Sequence, residues 1–361
     1  MPAKPSRRRV LQAVAGAASV GAGAWAFATA ARGNAYYSGP VSDHFDGTRF
    51  FNPGGVRPRG GLDFLRWQLF ERAAAWPGSF PSPFAPDRPP ATLKGDAVRI
   101  AYVGHASFLL QTLGRNILVD PVWAERASPF SLAGPRRVNP PGIAFEDLPK
   151  IDCVLVTHNH YDHMDVGTIA RLWQRFAPRI VTPLGNDAIL RAAVPGLAAD
   201  AVQAVDWDDT ADLGGGLAVH AEPSQHWSAR GLSDRSHALW ASFVLQAGGR
   251  KVYCVGDSGF GDGASFARVG RRHPGLALAL LPIGAYEPRW FMANSHMNPA
   301  DAVEALELCG AAQGLGHHWG TFRLTNEAVN QPALDLATAR TARNIPPERF
   351  PALRPGEVRT L

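Results

Sequence analysis

The stretch Ile151-Asp152-Cys153-Val154-Leu155-Val156-Thr157-His158-Asn159-His160-Tyr161-Asp162-His163 decides how this chain folds. Its first seven residues form a largely apolar run that predicts a strand, and its last six place four metal-ligating side chains in one turn. His158 and His160, two apart, share one side of an extended segment, while Asp162 and His163 point into adjacent space as the chain turns toward a helix. One loop can therefore serve two metals. Imidazole and carboxylate ligands suit a zinc that performs hydrolysis. A structural zinc site is the alternative, but such sites use closed sets of Cys and His. Here Cys153, Cys254 and Cys309 are scattered, without zinc-knuckle spacing. A merely solvated loop would have to collect three of the 12 histidines of the chain by chance.

Outward from this loop, strand patterns precede it at residues 98–103, 107–112 and 116–119, and a helix is expected at 166–176. Further strands are predicted at 217–222, 239–246, 251–255 and 277–282, with helices near 299–308 and 327–343. Strands thus fall into two groups with helices between and after them, an order that suits two face-to-face sheets flanked by helices. Upstream, residues 32–95 are rich in Gly, Pro and aromatics and predict an extension with one helical piece over 62–76. Its apolar residues cover more than one face, so it reads either as a helix on a membrane surface or as one packed on the body.

The first residues carry Arg7-Arg8-Arg9 ahead of an Ala/Gly/Val-rich stretch ending near Ala28-Thr29-Ala30. Residues 1–31 read as a twin-arginine-type export signal, or as an anchor if uncleaved, which places the catalytic part in or facing the periplasm. Without Lys4, Arg7, Arg8 and Arg9 the formal net charge falls from +5 to +1. No basic block interleaved with aromatics remains, which excludes nucleic acid as the expected partner. The cysteines sit in apolar runs and read as buried free thiols.

One loop does not complete a metal pair. His226 in Ser224-Gln225-His226-Trp227, Asp257 in Gly256-Asp257-Ser258-Gly259, and His318 in His317-His318-Trp319-Gly320 each follow a predicted strand, where side chains can converge above a sheet edge. Singly, each also reads as a turn former, a helix cap or a satisfied polar residue.

With these blocks in place the chain resembles the metallo-beta-lactamase superfamily, whose His-x-His-x-Asp-His motif is matched by residues 158–163. Within it, the chain is similar to the branch of N-acyl-phosphatidylethanolamine-hydrolysing phospholipase D and its bacterial relatives. That likeness is carried by Gly104-His105-Ala106, Asp120-Pro121-Val122, Gly134-Pro135-Arg136-Arg137, Gln225-His226-Trp227, Gly256 to Phe260 and His318 to Phe322. The resemblance covers roughly residues 40–345 and implies an α/β fold, a four-layer αββα sandwich, with the hydrolase domain expected at 96–361. It also implies that His158, His160 and His226 hold one metal, that Asp162, His163 and His318 hold the other, and that Asp257 bridges them.

Two divalent ions about 3.5–4 Å apart can activate a shared water toward hydroxide and stabilise charge on the attacked centre. The ligands favour two zinc ions, with iron or manganese also compatible. Asp162, Asp257 and His296 are the expected catalytic residues. His296, in Asn294-Ser295-His296-Met297, matches a histidine of the phospholipase branch and is expected to bind phosphate or protonate the leaving group; its other reading is an incidental histidine in a helix-capping segment. Tyr161, Trp227, Tyr286 and Trp290 read as pocket walls or as ordinary core. Asp120 and His105 are candidates for orienting the ligands, and a turn-forming Asp before Pro is the alternative for Asp120. No cysteine occupies a ligand position, unlike beta-lactamases with a cysteine on one zinc. That departure lowers the antibiotic-hydrolysis reading, and the resemblance to the phospholipase branch implies a phosphodiesterase of phospholipase D type acting on an N-acyl phosphatidylethanolamine-like lipid or a related small molecule, with membrane-surface contact. A sugar-phosphate lactonase and a di-iron oxidoreductase are the alternatives.

Overall fold

The computed structural model describes residues 33–55 and 57–361, so the export segment expected at 1–31 lies outside the described residues. Two sheets meet face to face. The first is built from β1 (Arg99–Gly104), β2 (Ser107–Thr112), β3 (Arg115–Val119), β4 (Cys153–Leu155), β5 (Arg179–Pro183), β6 (Val202–Val205) and β13 (Val358–Thr360), in the order β13-β1-β2-β3-β4-β5-β6. The second holds β7 (Thr210–Gly214), β8 (Leu217–Glu222), β9 (Ser242–Ala247), β10 (Arg250–Cys254), β11 (Leu278–Pro282) and β12 (Gln313–His317), in the order β12-β11-β10-β9-β8-β7.

Between the sheets, Leu110, Ile117, Val119 and Leu155 of one inner face meet Val219, Phe243, Leu245 and Leu280 of the other in a single apolar cluster. Helices α2 (Val166–Phe176) and α3 (Asn186–Ala193) cover the outer face of the first sheet through Ile169, Leu172 and Leu190. On the second sheet, α4 (Ala264–Arg272), α6 (Pro299–Cys309) and α7 (Gln331–Ala342) do the same through Phe266, Val269, Leu306 and Leu336. The architecture is therefore the αββα sandwich, each strand layer buried on both sides.

Local chemistry sets several boundaries. Asp165 caps α2, its carboxylate accepting from Thr168 N at 3.1 Å, and Ala177 ends the helix in the left-handed region. Asn298 and Asp301 form a reciprocal capping box at the start of α6, with Pro299 in the first turn and Gly310 as the left-handed stop. Two sequence expectations change. The helix expected over 62–76 stops at Phe70 as α1 (Leu62–Phe70), because Ala74 N and Trp76 Nε1 donate to the carbonyls of Asn326 and Glu327 and draw the following residues out straight. The helix expected from 327 begins at Gln331, where Pro332 supplies the first-turn proline.

Residues ahead of β1 lie on the sandwich: Phe45 and Phe50 are buried against Leu239 and Trp240, and Trp67 of α1 donates to Asn326 Oδ1 at 3.0 Å. The three cysteines are buried and unpaired. No helix among the described residues is long and apolar enough to cross a membrane.

Strand register delivers the site. β3 and β4 run parallel with Val119 beside Leu155, so Asp120 emerges next to Thr157 and His158. β10, β11 and β12 are parallel, Cys254 beside Leu280 and Pro282 beside His317, so the loops carrying Asp257 and His318 leave by one edge. The loop after β8 brings His226 to the same edge.

Candidate active site

At that edge the loop after β4 meets the loops after β8, β10 and β12. His158, His160 and His226 present nitrogens that lie within 4.8 Å of one another, and so do the ligand atoms of Asp162, His163, His318 and His105. His158 Nε2 and His160 Nδ1 are 3.0 Å apart, and His226 Nε2 is 3.2 Å from the same His160 nitrogen. Asp257 sits between the two sets, Oδ1 3.1 Å from His318 Nε2 and Oδ2 3.3 Å from His163 Nε2 and 3.8 Å from His226 Nε2. The structure thus brings the seven side chains singled out as ligands together at one edge of the sandwich.

The surrounding residues aim them. Asp120 Oδ2 accepts from His163 Nδ1 at 2.7 Å and from Thr157 Oγ1 at 2.7 Å, and its Oδ1 accepts from Thr157 N. His226 Nδ1 donates to Ser295 O at 2.9 Å, which leaves Nε2 facing inward. His105 Nε2 is 2.8 Å from Asp162 Oδ2. Such outer partners fix tautomer and ring orientation in metal sites. Asp120, His105 and His318 all take positive φ, at 41°, 57° and 66°, the kind of backbone cost that surrounding structure must hold in place. Gly256 is needed for close approach: at φ 66°, a Cβ there would fall 2.7 Å from Thr157 Oγ1.

The electrostatics are those of a site made for cations. Burial opposes charge on Asp162 and Asp257, yet the neighbouring histidines hold both carboxyls well below the usual range. Burial and crowding by neighbouring imidazoles keep His158 far below its ordinary value; burial, partly offset by Asp162 and Asp257, holds His160 at about 4. His163 and His318 go the other way despite burial, His163 well above the ordinary value and His318 up to about 9, because Asp257 and Asp162 face both. Among the described residues, buried His160 Nε2, His163 Nε2, His318 Nε2 and Asp257 Oδ1 have no hydrogen-bond partner. Two buried carboxylates amid inward-facing imidazoles with unpartnered atoms are a donor set that fits borderline divalent ions such as zinc.

The cluster opens into a cavity of about 560 Å³ lined by His160, Tyr161, Asp162, Trp227, Asp257 and His296, with Phe64, Leu65, Phe291, Met292 and Leu324 as its apolar wall. His296 Nδ1 lies 3.7 Å from Asp257 Oδ2, and its pKa is lowered to about 4, burial outweighing Asp257. Tyr161 and Trp227 are walls as expected. Tyr286 and Trp290 are not: Tyr286 is buried with its hydroxyl donated to Asp335 of α7, and Trp290 of α5 (Arg289–Met292) donates to Glu71 under the guanidinium of Arg66.

Sequence reasoning missed Arg230. Its Nη1 donates to the carbonyls of Asn159 and Met164 at 2.8 and 2.9 Å, and its guanidinium lies over the Tyr161 ring. It therefore clamps both ends of the ligand loop. A lone arginine 67 residues past His163 carries no local signal for this. Asn52, donating to His226 O at 2.9 Å, was equally silent. The apolar wall from α1 had a signal, the all-round hydrophobicity of residues 62–70.

The Beta-lactamase superfamily domain family matches residues 115–319, a span that contains all seven expected metal ligands. The chain belongs to the metallo-beta-lactamase superfamily. It is 38% identical over 251 residues to N-acyl-phosphatidylethanolamine-hydrolyzing phospholipase D 1 of Caenorhabditis elegans, covering 67% of this chain and 69% of that relative. Among solved structures, this superfamily member is similar to Igni18, a metallo hydrolase of Ignicoccus hospitalis, at TM-score 0.53 and 22% identity over 73% of this chain and 98% of that one. It is also similar to CmlA, a diiron beta-hydroxylase of Streptomyces venezuelae, at TM-score 0.55 and 22% identity over 75% of this chain and 54% of that one. These two likenesses concern the fold. Fold, family and donor set together make the chain a metal-dependent hydrolase of this superfamily.

Proposed function

We propose that this hydrolase is a phosphodiesterase of phospholipase D type, acting with two zinc ions on N-acyl phosphatidylethanolamine-like lipids. The observation that carries the reading is a seven-ligand histidine and aspartate cluster at the foot of a cavity walled by Phe64, Leu65, Phe291, Met292 and Leu324. A polar reaction centre beneath an apolar wall suits a lipid whose headgroup reacts while its chains stay out of water. The 38% identical relative named for that activity supports the substrate class.

His158, His160 and His226 would hold one ion, Asp162, His163 and His318 the other, and Asp257 would touch both. Bound there, the ions supply an activated water and positive charge opposite the phosphoryl oxygens. The chain's own residues do the rest. Asp120, Ser295 and His105 fix the ligands, so the site is set before substrate arrives. His296, neutral at working pH, can donate a hydrogen bond to a phosphoryl oxygen from the cavity side. Water oxygen bonds to phosphorus, the bond from phosphorus to the ethanolamine oxygen breaks, and that oxygen leaves with a proton as the N-acyl ethanolamine. Phosphatidic acid is the other product.

The test is to measure bound metal in purified protein and to assay an N-acyl phosphatidylethanolamine, an aryl phosphodiester and a lactone side by side, with His160→Ala as control. Phosphodiester turnover lost in the variant is expected. Lactone turnover alone would overturn the substrate reading, and full activity in the variant would overturn the metal reading.

A further inference from the structure

Of the 12 large apolar side chains that are exposed among the described residues, eight fall in three short segments far apart in sequence. Leu62, Phe64, Leu65, Leu69 and Phe70 belong to α1, Phe130 and Leu132 to the loop after Arg126, and Leu232 to the turn between Arg230 and Arg235. Exposure is nearly complete at the tips: Phe70 is 79%, Leu132 90% and Leu232 94% exposed.

Each segment is rooted in the catalytic cavity. Phe64 and Leu65 line it directly, and α1 is held to the body chiefly by Trp67, so the rest of its apolar surface stays in water. Ala127 lines the cavity at the base of the 126–136 loop, which is closed by Ala127 N donating to Pro135 O and Arg126 Nη1 donating to Gly134 O; Phe130 and Leu132 stand beyond that closure. Arg235 lines the cavity and Arg230 covers the Tyr161 ring, which brackets Leu232 beside the same opening. Three independent pieces of chain thus raise apolar tips around one mouth, where scattered single exposures would need no explanation.

The charges between the tips have one prevailing sign. Across residues 57–72, 125–136 and 230–235 there are eight arginines, Arg57, Arg59, Arg66, Arg72, Arg126, Arg136, Arg230 and Arg235, against the four acids Asp63, Glu71, Glu125 and Asp234. Arg57, Arg66 and Arg72 have no carboxylate within ion-pair distance among the described residues. Apolar tips that reach into acyl chains, set between arginines that meet phosphates, are the composition of an interfacial anchor for an anionic bilayer. A second copy docking here through the same face would set arginine against arginine.

We infer that α1, the 126–136 loop and the 230–235 turn form a collar that seats the cavity mouth on an anionic lipid surface. The inference rests on the lipid reading above for the direction of substrate entry: a lipid would pass from the bilayer to His160 and Asp257 along Phe64 and Leu65 without crossing water.

The test uses the full chain with Leu132→Cys carrying an environment-sensitive nitrobenzoxadiazole label; the three native thiols are buried and do not compete. Emission should brighten and shift to the blue with phosphatidylglycerol vesicles, and much less with phosphatidylcholine, while the same label at Leu334→Cys on α7 should not respond. In the unlabelled pair Phe70→Asp/Leu132→Asp, neither of which lines the cavity, vesicle affinity should fall about tenfold or more, the scale of keeping two large apolar side chains in water. Turnover of a soluble aryl phosphodiester should be unchanged. A label that ignores vesicles overturns the collar, as does one already blue in buffer, which would mean that residues 1–32 or a second copy covers it. A vesicle-dependent shift without lipid hydrolysis supports the collar and sinks the substrate reading instead.

Discussion

Asp120 Oδ2 lies 2.7 Å from His163 Nδ1, with both side chains fully buried and the two residues 43 positions apart in sequence. The contact exists because β3 and β4 are parallel neighbours whose ends bring Asp120 beside the ligand loop. It orders the imidazole so that Nε2 faces Asp257 and Asp162. Asp120→Asn keeps the shape but removes the charge that fixes the tautomer. Metal affinity should fall by about 10–100-fold, with activity regained at high zinc. Metal content after dialysis against graded zinc measures it, and unchanged affinity would show that Asp120 is only a turn former.

Arg230 gives a second route to the loop, through backbone rather than ligand. Arg230→Met removes the donors to Asn159 O and Met164 O while keeping a flexible apolar stem. Stability should drop by roughly 1–3 kcal/mol in urea unfolding, because two carbonyls lose their partners. Since catalysis is steep in ångström-scale placement, kcat should fall on the order of 10²-fold with KM little changed. A variant that loses stability yet keeps kcat would make Arg230 structural only.

How much of this was legible beforehand follows from where each signal resides. Strand β8 at Leu217–Glu222 and helix α2 at Val166–Phe176 match their predicted bounds because both are periodic over several residues and closed by clear stop signals. The His158 to His163 loop, His226, Asp257 and His318 were readable because metal ligation needs rare residue types at fixed places. Short strands such as β6 (Val202–Val205) and β13 (Val358–Thr360) gave no warning: four and three residues hold too little pattern, and their pairing comes from neighbours. The sequence leaves Tyr286 and Trp290 open between wall and core because an aromatic near a site looks the same whether it faces the cavity or, as Tyr286 does, donates to Asp335. Arg230 acts on carbonyls, which every residue has, so no spacing could reveal it.

The two sheets are tied to the site by their shared core, and Phe243 is a fully buried member of it. Phe243→Ala should cost about 3–5 kcal/mol of unfolding free energy, read from the urea midpoint at constant slope. Below its lowered melting point the variant should keep most of its activity, since no ligand loop begins at β9. A loss under about 1 kcal/mol would mean that the inter-sheet core repacks around the gap.

His44 offers a pH signature away from the metals. Burial works against its charge, but Asp206 and Asp43, at 2.7 and 2.6 Å, outweigh burial and raise its pKa above the ordinary imidazole value. A raised folded-state pKa stabilises fully below the unfolded value of about 6.5 and loses that contribution as pH climbs through the folded one. The melting temperature of wild type minus His44→Gln should therefore be widest at the acid end and close toward alkaline pH. A gap that widens with pH would reverse the sign and refute the ion pairing of His44 with Asp43 and Asp206.

Chelation should expose the energetic role of the cluster. Asp162 and Asp257 are buried among His158, His160, His163, His226 and His318, and several of those nitrogens have no hydrogen-bond partner among the described residues. An ion that binds the folded chain and not the unfolded one stabilises by about 2.7 kcal/mol at a hundredfold excess over Kd. Adding a chelator should lower the melting temperature and abolish turnover together, and zinc should restore both, whereas magnesium, which demands mostly oxygen ligands, should restore neither. The effect should weaken in His160→Ala, whose cluster is one ligand short, and vanish in a variant lacking both His160 and His318. If chelation left the melting curve of the wild type unmoved while a metal assay confirmed removal, the buried carboxylates would have to be satisfied by protonated His163 and His318 alone.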